Sequence, residues 1–175
     1  MIKAGKLLVA HPNLPQRSLF ANSVILITET GRSGTAGLII NKASENSLNQ
    51  LIKDRALHLD VGSPVYLGGP VNPSALLLLH SDEWYSSNTL QVPGGFAITS
   101  DDVMFSKFQD GNTPLFWRFC LGMAGWHRGQ LEQEIKQESW LTCDPEPSII
   151  FEHSGKSQWR RAVDLCATQA VSHFF

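Results

Sequence analysis

The sequence predicts an α+β fold, and three observations lead to this class. Short apolar runs rich in β-branched residues fill the first two thirds of the 175-residue chain. Amphipathic helical spacing is concentrated in the last third. The two patterns do not alternate regularly, which argues against βαβ units and a parallel sheet. The length suits one domain, which we expect to cover residues 1–175.

The predicted strands are short apolar segments bounded by turn residues. They cover residues 6–10, 23–28, 35–41, 65–67, 75–80, a segment within 91–98 that Pro93, Gly94 and Gly95 interrupt, 115–121 and 148–151. The link between the second and third strands is short, so an antiparallel hairpin is the simplest pairing for them.

Four helices are predicted from apolar spacing and from residues that cap a first turn. They cover about 47–56 with Ser44 or Asn46 as the cap, 103–108, about 130–138, and 158 to about 171. Before the third helix, Gly122 and Gly125 predict a tight turn that carries Trp126 as an anchor. Residues 141–147 are predicted to form a proline-containing loop.

Composition excludes several function classes. Fourteen Lys and Arg against sixteen Asp and Glu give a net charge of -2, so no overall positive field attracts nucleic acid. The three cysteines are odd in number and widely spaced, which argues against a disulfide framework or zinc site and suits a reducing compartment. The cysteines are expected to be buried as small hydrophobic residues, and Cys143 in the predicted loop is the one that could be exposed and oxidised. No apolar run reaches the roughly 20 residues of a membrane span, and we expect a cytoplasmic protein.

Several short motifs follow one another in a fixed order along the chain. The most specific are Gly-Gly-Pro-Val at 68–71, Ala-Gly-Trp at 124–126 and Gly-Gln-Leu-Glu at 129–132. Together with Gly-Leu-Ile-Ile-Asn-Lys at 37–42, they resemble the AlgH/YqgE family of bacterial proteins over nearly the whole chain. Met123, His11 and the polar turn after Thr30 depart from the family pattern, which leaves the roles of these positions open.

The resemblance implies a mostly antiparallel, strongly bent sheet that forms a partial barrel, with helices packed around it. It also implies a connection with transcriptional regulation in bacteria, without an established biochemical activity.

The polar residues near these motifs give only weak signs of chemistry. Glycines 68 and 69 could form an anion-binding nest, but Pro70 removes a donor and no phosphate-loop or dinucleotide motif is present, so no cofactor is expected. His80, Asp101, Glu132 and Glu134 lie near the motifs and could form an acid/base set or a metal site, yet no metal-binding spacing supports a metal. Ser100 lacks a nucleophile elbow, and helix capping explains it better.

These residues favour a non-enzymatic regulatory or protein-interaction module, because Gly, Pro and Trp shape surfaces. Its predicted binding surface comprises Gly68, Gly69, Pro70, Thr99, Ser100, Asp101, Gly125, Trp126, Gly129, Gln130 and Glu132. The expected partner is another protein; a small molecule stays open, and direct nucleic-acid binding and membrane association are not expected. The alternative is a small-molecule-binding protein or weak hydrolase that uses His80, Asp101 and Glu132.

Overall fold

The computed structural model of the protein describes residues 2–55 and 57–173. Its strands are β1 (Leu7–Ala10), β2 (Val24–Gly31), β3 (Gly34–Ile39), β4 (Val65–Leu67), β5 (Val71–Ser81), β6 (Leu90–Val92), β7 (Phe96–Thr99), β8 (Trp117–His127) and β9 (Trp140–Cys143). Its helices are α1 (Leu48–Leu51), α2 (Val103–Gln109), α3 (Gln130–Lys136), α4 (Pro147–Phe151) and α5 (Gly155–Ser172), with one 3₁₀ turn at Lys53–Arg55.

All nine strands belong to one sheet, which is mostly antiparallel. Eight of them follow the order β6-β7-β5-β8-β3-β2-β1-β9, in which each neighbouring pair is antiparallel. The ninth, β4, runs parallel to the first part of β8. The long strand β8 therefore joins both halves of the sheet, and the predicted α+β class is confirmed.

The sheet curls until its two edges approach each other. Gly5, just before β1, lies against the β6–β7 turn so closely that a Cβ atom on it would be 2.3 Å from the Pro93 carbonyl oxygen. On the same turn, a Cβ atom on Gly94 would be 3.7 Å from Pro145, which follows β9. This half-barrel curl confirms the bent sheet that the family resemblance implied.

Helices cover the curled sheet through two apolar clusters. The larger one joins β1, β2 and β3 to α5, where the Trp159 indole also donates a hydrogen bond to the Ala10 carbonyl oxygen at 2.8 Å. The second cluster joins β4, β5 and β8 to α1 and α2, with the Phe105 and Phe119 rings stacked at 6.3 Å. The described helices all fall short of the length and apolarity that crossing a membrane requires.

One buried cation ties the sheet to the C-terminal helices. Arg118 in β8 is 4% exposed and has no carboxylate partner within residues 2–55 and 57–173. Its guanidinium donates to the carbonyl oxygens of Ile40 and His153 and to the Gln158 Oε1 atom, the last at 2.9 Å. It also lies 4.3 Å from the centre of the Tyr66 ring. Arg118 thus connects β3, β8 and α5.

Several predicted elements are corrected by the structure. The turn expected at Gly122 and Gly125 is wrong, because β8 continues through both glycines to residue 127. The strand expected at 148–151 is helix α4, whose start is favoured by Pro147 at its first position. The loop expected at 141–147 contains most of β9.

The first helix is also shorter than predicted. It ends at Leu51, and its cap is Ser47, whose hydroxyl accepts from the Gln50 N–H in a capping box. The 3₁₀ turn follows, and Ala56, the last residue of the predicted helix, lies outside the described residues. Cys143 is 5% exposed, so it is buried like the other two cysteines, as expected.

Candidate functional site

The Gly-Gly-Pro motif is where the β4–β5 connection crosses β8. A Cβ atom on Gly69 would lie 2.2 Å from the Met123 carbonyl carbon, and one on Gly68 would lie 2.3 Å from the Gly122 carbonyl oxygen. The Gly68 N–H donates to the Leu121 carbonyl oxygen at 2.7 Å. Because this donor is used and Pro70 has none, the motif allows two backbones to approach and does not form the hypothesised anion nest.

Trp126 lies in a partly buried hydrogen-bond network beneath α3. Its indole N–H donates to the Glu134 Oε2 atom at 3.0 Å, and the Trp140 indole donates to the same oxygen at 2.8 Å. The Gln130 side chain donates to the other Glu134 oxygen at 3.0 Å and accepts from the His127 N–H. Trp126 is 4% exposed. Trp126 and Gln130 therefore fix α3 on the end of β8.

The turn after β7 is held by Asp101. Its carboxylate accepts from the Ser86 hydroxyl at 2.7 Å, from the Asn88 N–H at 2.9 Å and from the Met104 N–H at 3.0 Å. Burial tends to raise the pKa of Asp101, but these hydrogen bonds outweigh it and hold the pKa below its ordinary value. Asp101 therefore accepts from an N–H of the first turn of α2, whose N-cap is Asp102, whereas the predicted cap Ser100 uses its hydroxyl to accept from Asn88.

His80 and Thr99 form a hydroxyl–imidazole pair that is closed to solvent. The His80 Nε2 atom is 2.9 Å from the Thr99 hydroxyl, and the Nδ1 atom is 2.8 Å from the Ser81 carbonyl oxygen. Since that carbonyl can only accept, Nδ1 carries the proton and Nε2 accepts from Thr99. The Thr99 hydroxyl is also 2.6 Å from the Thr89 hydroxyl, and the Thr89 oxygen accepts a hydrogen bond from the Ser86 N–H.

Both members of this pair are fully buried. Burial lowers the pKa of His80 below its ordinary value, and this effect exceeds the opposing effects of the Ser81 carbonyl and two nearby carboxylates. A neutral imidazole that a substrate cannot reach supports a structural role for His80 and Thr99.

Two surface concavities flank the first half of β5. Residues 71–75 are all exposed, and the pairing of β5 with β8 is irregular between Val71 and Leu76. On one side, a cleft of about 660 Å³ lies between this segment, α2 and the 3₁₀ turn. On the other side, a depression of about 330 Å³ includes Val71, Gly125 and Trp126. We call residues 71–75 the β5 ridge.

A third cavity of about 620 Å³ lies beside α3. Its walls come from the N-terminal residues, α3, the end of β9 and the end of α5. Glu132 lies on this wall, together with the lysines at positions 3, 6 and 136. The Lys6 ammonium is paired with the Asp144 carboxylate.

Comparison with known proteins places this architecture in one family. A family model described as AlgH-like (DUF179) matches residues 7–170. The chain belongs to this AlgH-like family. It is 34% identical to a UPF0301 protein of Methylococcus capsulatus over 93% of this chain and 88% of that protein. It is 36% identical to a UPF0301 protein of Chromobacterium violaceum, over 90% of this chain and 87% of that protein.

Solved structures share the fold. The solution structure of the AlgH protein from Pseudomonas aeruginosa is 28% identical to this chain, with a TM-score of 0.78 over 93% of this chain and 87% of that one. A crystal structure of a Corynebacterium diphtheriae protein is 23% identical, with a TM-score of 0.75 over 93% of this chain and 86% of that one.

The predicted surface residues of this AlgH-like chain fall into separate groups. Gly68, Gly69 and Pro70 lie beside β8, with Gly125 and Trp126 farther along the same strand. Thr99 is paired with Leu78 of β5, and Leu78 is paired with Phe119 of β8. Trp126 lies seven residues beyond Phe119 on β8, which corresponds to roughly 23 Å at the usual strand rise. Only Ser100 of the 99–101 segment lines the 660 Å³ cleft.

The proposed acid/base trio is not brought together. His80 lies opposite Trp117, the first residue of β8, whereas Glu132 lies in α3 beyond the last residue of that strand. The strand between them has 11 residues. Asp101 makes no hydrogen bond to either partner among the described contacts. No cluster of metal-ligating side chains occurs within the described part of the chain.

Sequence reasoning missed three polar features of this chain. They are the carboxylate of Glu134 between two tryptophans, the buried Arg118, and the contact between Cys143 and Cys166. Trp126 is the last residue of the Ala-Gly-Trp motif, and Glu134 and Trp140 follow it closely in the sequence. A search for a polar partner of each buried indole could therefore have found this carboxylate.

Proposed function

We propose that this AlgH-like chain is a non-enzymatic regulatory module of the bacterial cytoplasm, formed by one domain over residues 1–175, that binds another protein and influences transcription indirectly. The observation that carries the proposal is the exposed β5 ridge between two concavities. It lies directly after the Gly-Gly-Pro motif and beside Gly125. The family motifs thus build the crossing that presents this surface.

The lining of the larger cleft defines the kind of partner that fits. Its floor includes Leu76, Leu121 and Met104, while Arg55 and Asp102 form an ion pair at 3.0 Å on its rim. An apolar floor with a polar rim is the arrangement of a protein-interaction centre. We infer that the partner is a protein segment in extended conformation that places an apolar side chain in this cleft.

A catalytic role receives less support. The His80–Thr99 pair is buried, and the carboxylates of Asp101 and Glu134 are each occupied by three hydrogen bonds from the protein itself. The net charge of -2 supports an indirect effect on transcription, since no overall positive field is available for DNA. An anisotropy titration should show no salt-sensitive binding to duplex DNA, and such binding would replace the indirect model with a direct one.

Site-specific photocrosslinking in bacterial cells tests the surface. A crosslinking phenylalanine derivative replaces Ser74 on the β5 ridge or, as a control, Leu115, which is 77% exposed and lines none of the concavities described above. We expect one crosslinked protein from position 74 and not from position 115. Val71→Arg, on the other side of the ridge, should reduce this product about tenfold, which corresponds to roughly 1.4 kcal/mol of binding energy.

Three outcomes would contradict the proposal. Equal products from both positions would mean that the crosslinks are unspecific, and no product from position 74 would mean that the ridge is not a binding surface. Crosslinking to a second copy of the chain would make the ridge a self-association interface.

The alternative function is the binding of a small molecule, and the cleft volumes favour it as the second candidate. Cavities of about 620 and 660 Å³ fall within the range of ligand sites. A metabolite at about 100 times its Kd should stabilise the protein by about 2.7 kcal/mol, or roughly 5–10 °C in Tm. Ala75→Trp should abolish that shift if the ligand binds beside the ridge.

A further inference from the structure

Two cysteines that are distant in sequence meet between the sheet edge and the last helix. The Cys166 thiol of α5 contacts the Cys143 sulfur at the end of β9, with the two Sγ atoms 2.7 Å apart. Both side chains are buried. The third cysteine, Cys120, is buried in the apolar core of β8, and the one hydrogen bond described for its Sγ atom is to a backbone carbonyl oxygen.

The surrounding contacts hold the two sulfur atoms in this position. Next to Cys143, the Asp144 N–H donates to the Gln169 Oε1 atom at 2.7 Å, and the Gln169 Nε2 atom donates to the Asp144 carbonyl oxygen at 3.1 Å. Gln169 lies one helical turn after Cys166, so this pair of hydrogen bonds fixes α5 beside β9. Closing a bond between the sulfur atoms therefore requires little backbone movement.

A small reagent has a route to one of the two thiols. Cys143 lies on the wall of the 620 Å³ cavity, whereas Cys166 does not. Lys6 and Asp144 on its walls form an ion pair, and Lys3 and Lys136 there outnumber the carboxylate of Glu132, so the cavity can admit a small anionic molecule. Cys143 is thus the position at which exchange can begin.

We propose that Cys143 and Cys166 are a thiol pair that a low-molecular-weight disulfide oxidises to an intramolecular disulfide. The Cys143 thiolate attacks one sulfur of the small disulfide, forms a mixed disulfide and releases one small thiol. The Cys166 thiolate then attacks the Cys143 sulfur and releases the second small thiol. Two protein thiols and one small disulfide thus become one protein disulfide and two small thiols.

The environment makes this exchange slow. The hydrogen bond from Cys166, and then burial, raise the pKa of the Cys143 thiol well above its ordinary value. Only a small fraction of the thiolate is present at neutral pH, so the exchange is best followed at pH 8.5 over hours. The pair is suited to respond to a sustained change in redox potential.

The test treats the full chain with glutathione disulfide and counts the free thiols after unfolding. We expect three thiols to fall to one, and non-reducing peptide mapping to find residues 143 and 166 linked. The Tm of the oxidised protein should be higher than that of the reduced protein by on the order of 10 °C, because the disulfide closes a 24-residue loop. Cys120→Ser should keep the response and end with no free thiol. Cys143→Ser should keep both remaining thiols, whereas Cys166→Ser should stop at the mixed disulfide, with one free thiol and glutathione bound to residue 143.

Other outcomes would overturn the proposal. Three thiols remaining after treatment would show that the pair does not oxidise, and a link to Cys120 or to a second chain would show that other sulfur atoms react first. A 143–166 disulfide that forms without raising Tm would refute the inference that the two sulfur atoms are already aligned. The partner-binding proposal predicts none of these results, so either can fail alone.

Discussion

Replacing Glu134 by alanine should destabilise the protein by about 3 kcal/mol. The Glu134 carboxylate accepts three hydrogen bonds, one from each of two buried indoles and one from Gln130. Hydrogen bonds to a charged group contribute about 1.5–3 kcal/mol each, and three would give at least 4.5 kcal/mol. Glu134 is only partly buried, so water can replace part of this energy, and we expect about 3 kcal/mol.

The assay is urea unfolding followed by far-ultraviolet circular dichroism, which does not depend on tryptophan fluorescence. For a chain of this length, the expected loss corresponds to a decrease in Tm of roughly 6–12 °C. Glu134→Gln should lose less, about 1–2 kcal/mol, because its amide oxygen can still accept from both indoles while its amide nitrogen opposes the Gln130 donor.

Glu132→Ala is the matched control, because Glu132 lies on the same helix and makes none of the described side-chain hydrogen bonds. It should change stability by less than about 0.5 kcal/mol. If Glu134→Ala lost no more than Glu132→Ala, the indole N–H groups would be satisfied in another way, and the reasoning about this network would be refuted.

Three further substitutions test other parts of the fold. Gly69→Ala should cost roughly 4 kcal/mol or more, because the added Cβ atom would clash with the backbone of β8 and residue 69 has a φ of 151°. Gly62→Ala is the control and should be nearly neutral, since no atom lies within 4 Å of its Cβ position. Similar Tm values for both variants would contradict this prediction. Burial lowers the pKa of His80, so the folded protein binds fewer protons than the unfolded chain. The free energy of unfolding should therefore decrease by up to about 1.4 kcal/mol per pH unit as the pH falls below about 6.5 towards the pKa of the folded state. The urea midpoints of His80→Asn should lack this slope. Arg118→Met should cost about 3 kcal/mol because it leaves three acceptors, two of them buried, without their donor. A loss below about 1 kcal/mol in urea unfolding would contradict this role.

Local patterns predicted much of the fold where neighbouring residues decide it. The β2–β3 hairpin followed from two β-branched runs with a short link, and its antiparallel pairing is confirmed. The anchor role predicted for Trp126 is confirmed by its burial, although the same residue also belongs to the predicted binding surface. These predictions depended on signals within a few residues.

Predictions failed where long-range contacts override local ones. Gly122 indicated a turn, yet it lies inside β8 with a φ of 68°, because the carbonyl oxygen of Gly69 approaches to 2.4 Å of where its Cβ would be. Arg118, between two aromatic residues, gave no sign of burial because its acceptors lie 35 to 78 positions away. Cys143 and Cys166 are 23 positions apart, and one sequence does not reveal that β9 and α5 bring them together.

The candidate surface was predicted in part. The Gly-Gly-Pro motif and Gly125 lie beside the β5 ridge, but the ridge itself was not anticipated, since the exposed residues 71–74 precede the apolar run that marked the strand. The 99–101 segment was assigned to the same groove although a full strand separates it from β8. Sequence order showed which motifs occur, and the sheet order decided which of them are neighbours.

The near-meeting of the sheet edges also bears on how the protein avoids aggregation. Open sheet edges carry unpaired backbone groups that can recruit strands from other molecules. Here the edge strands β6 and β9 are only three and four residues long, and the turn after β6 packs against the segment before β1. A strand from another molecule can therefore pair with only three or four residues at either edge. The short edge strands and the curl of the sheet together oppose its growth into a fibre.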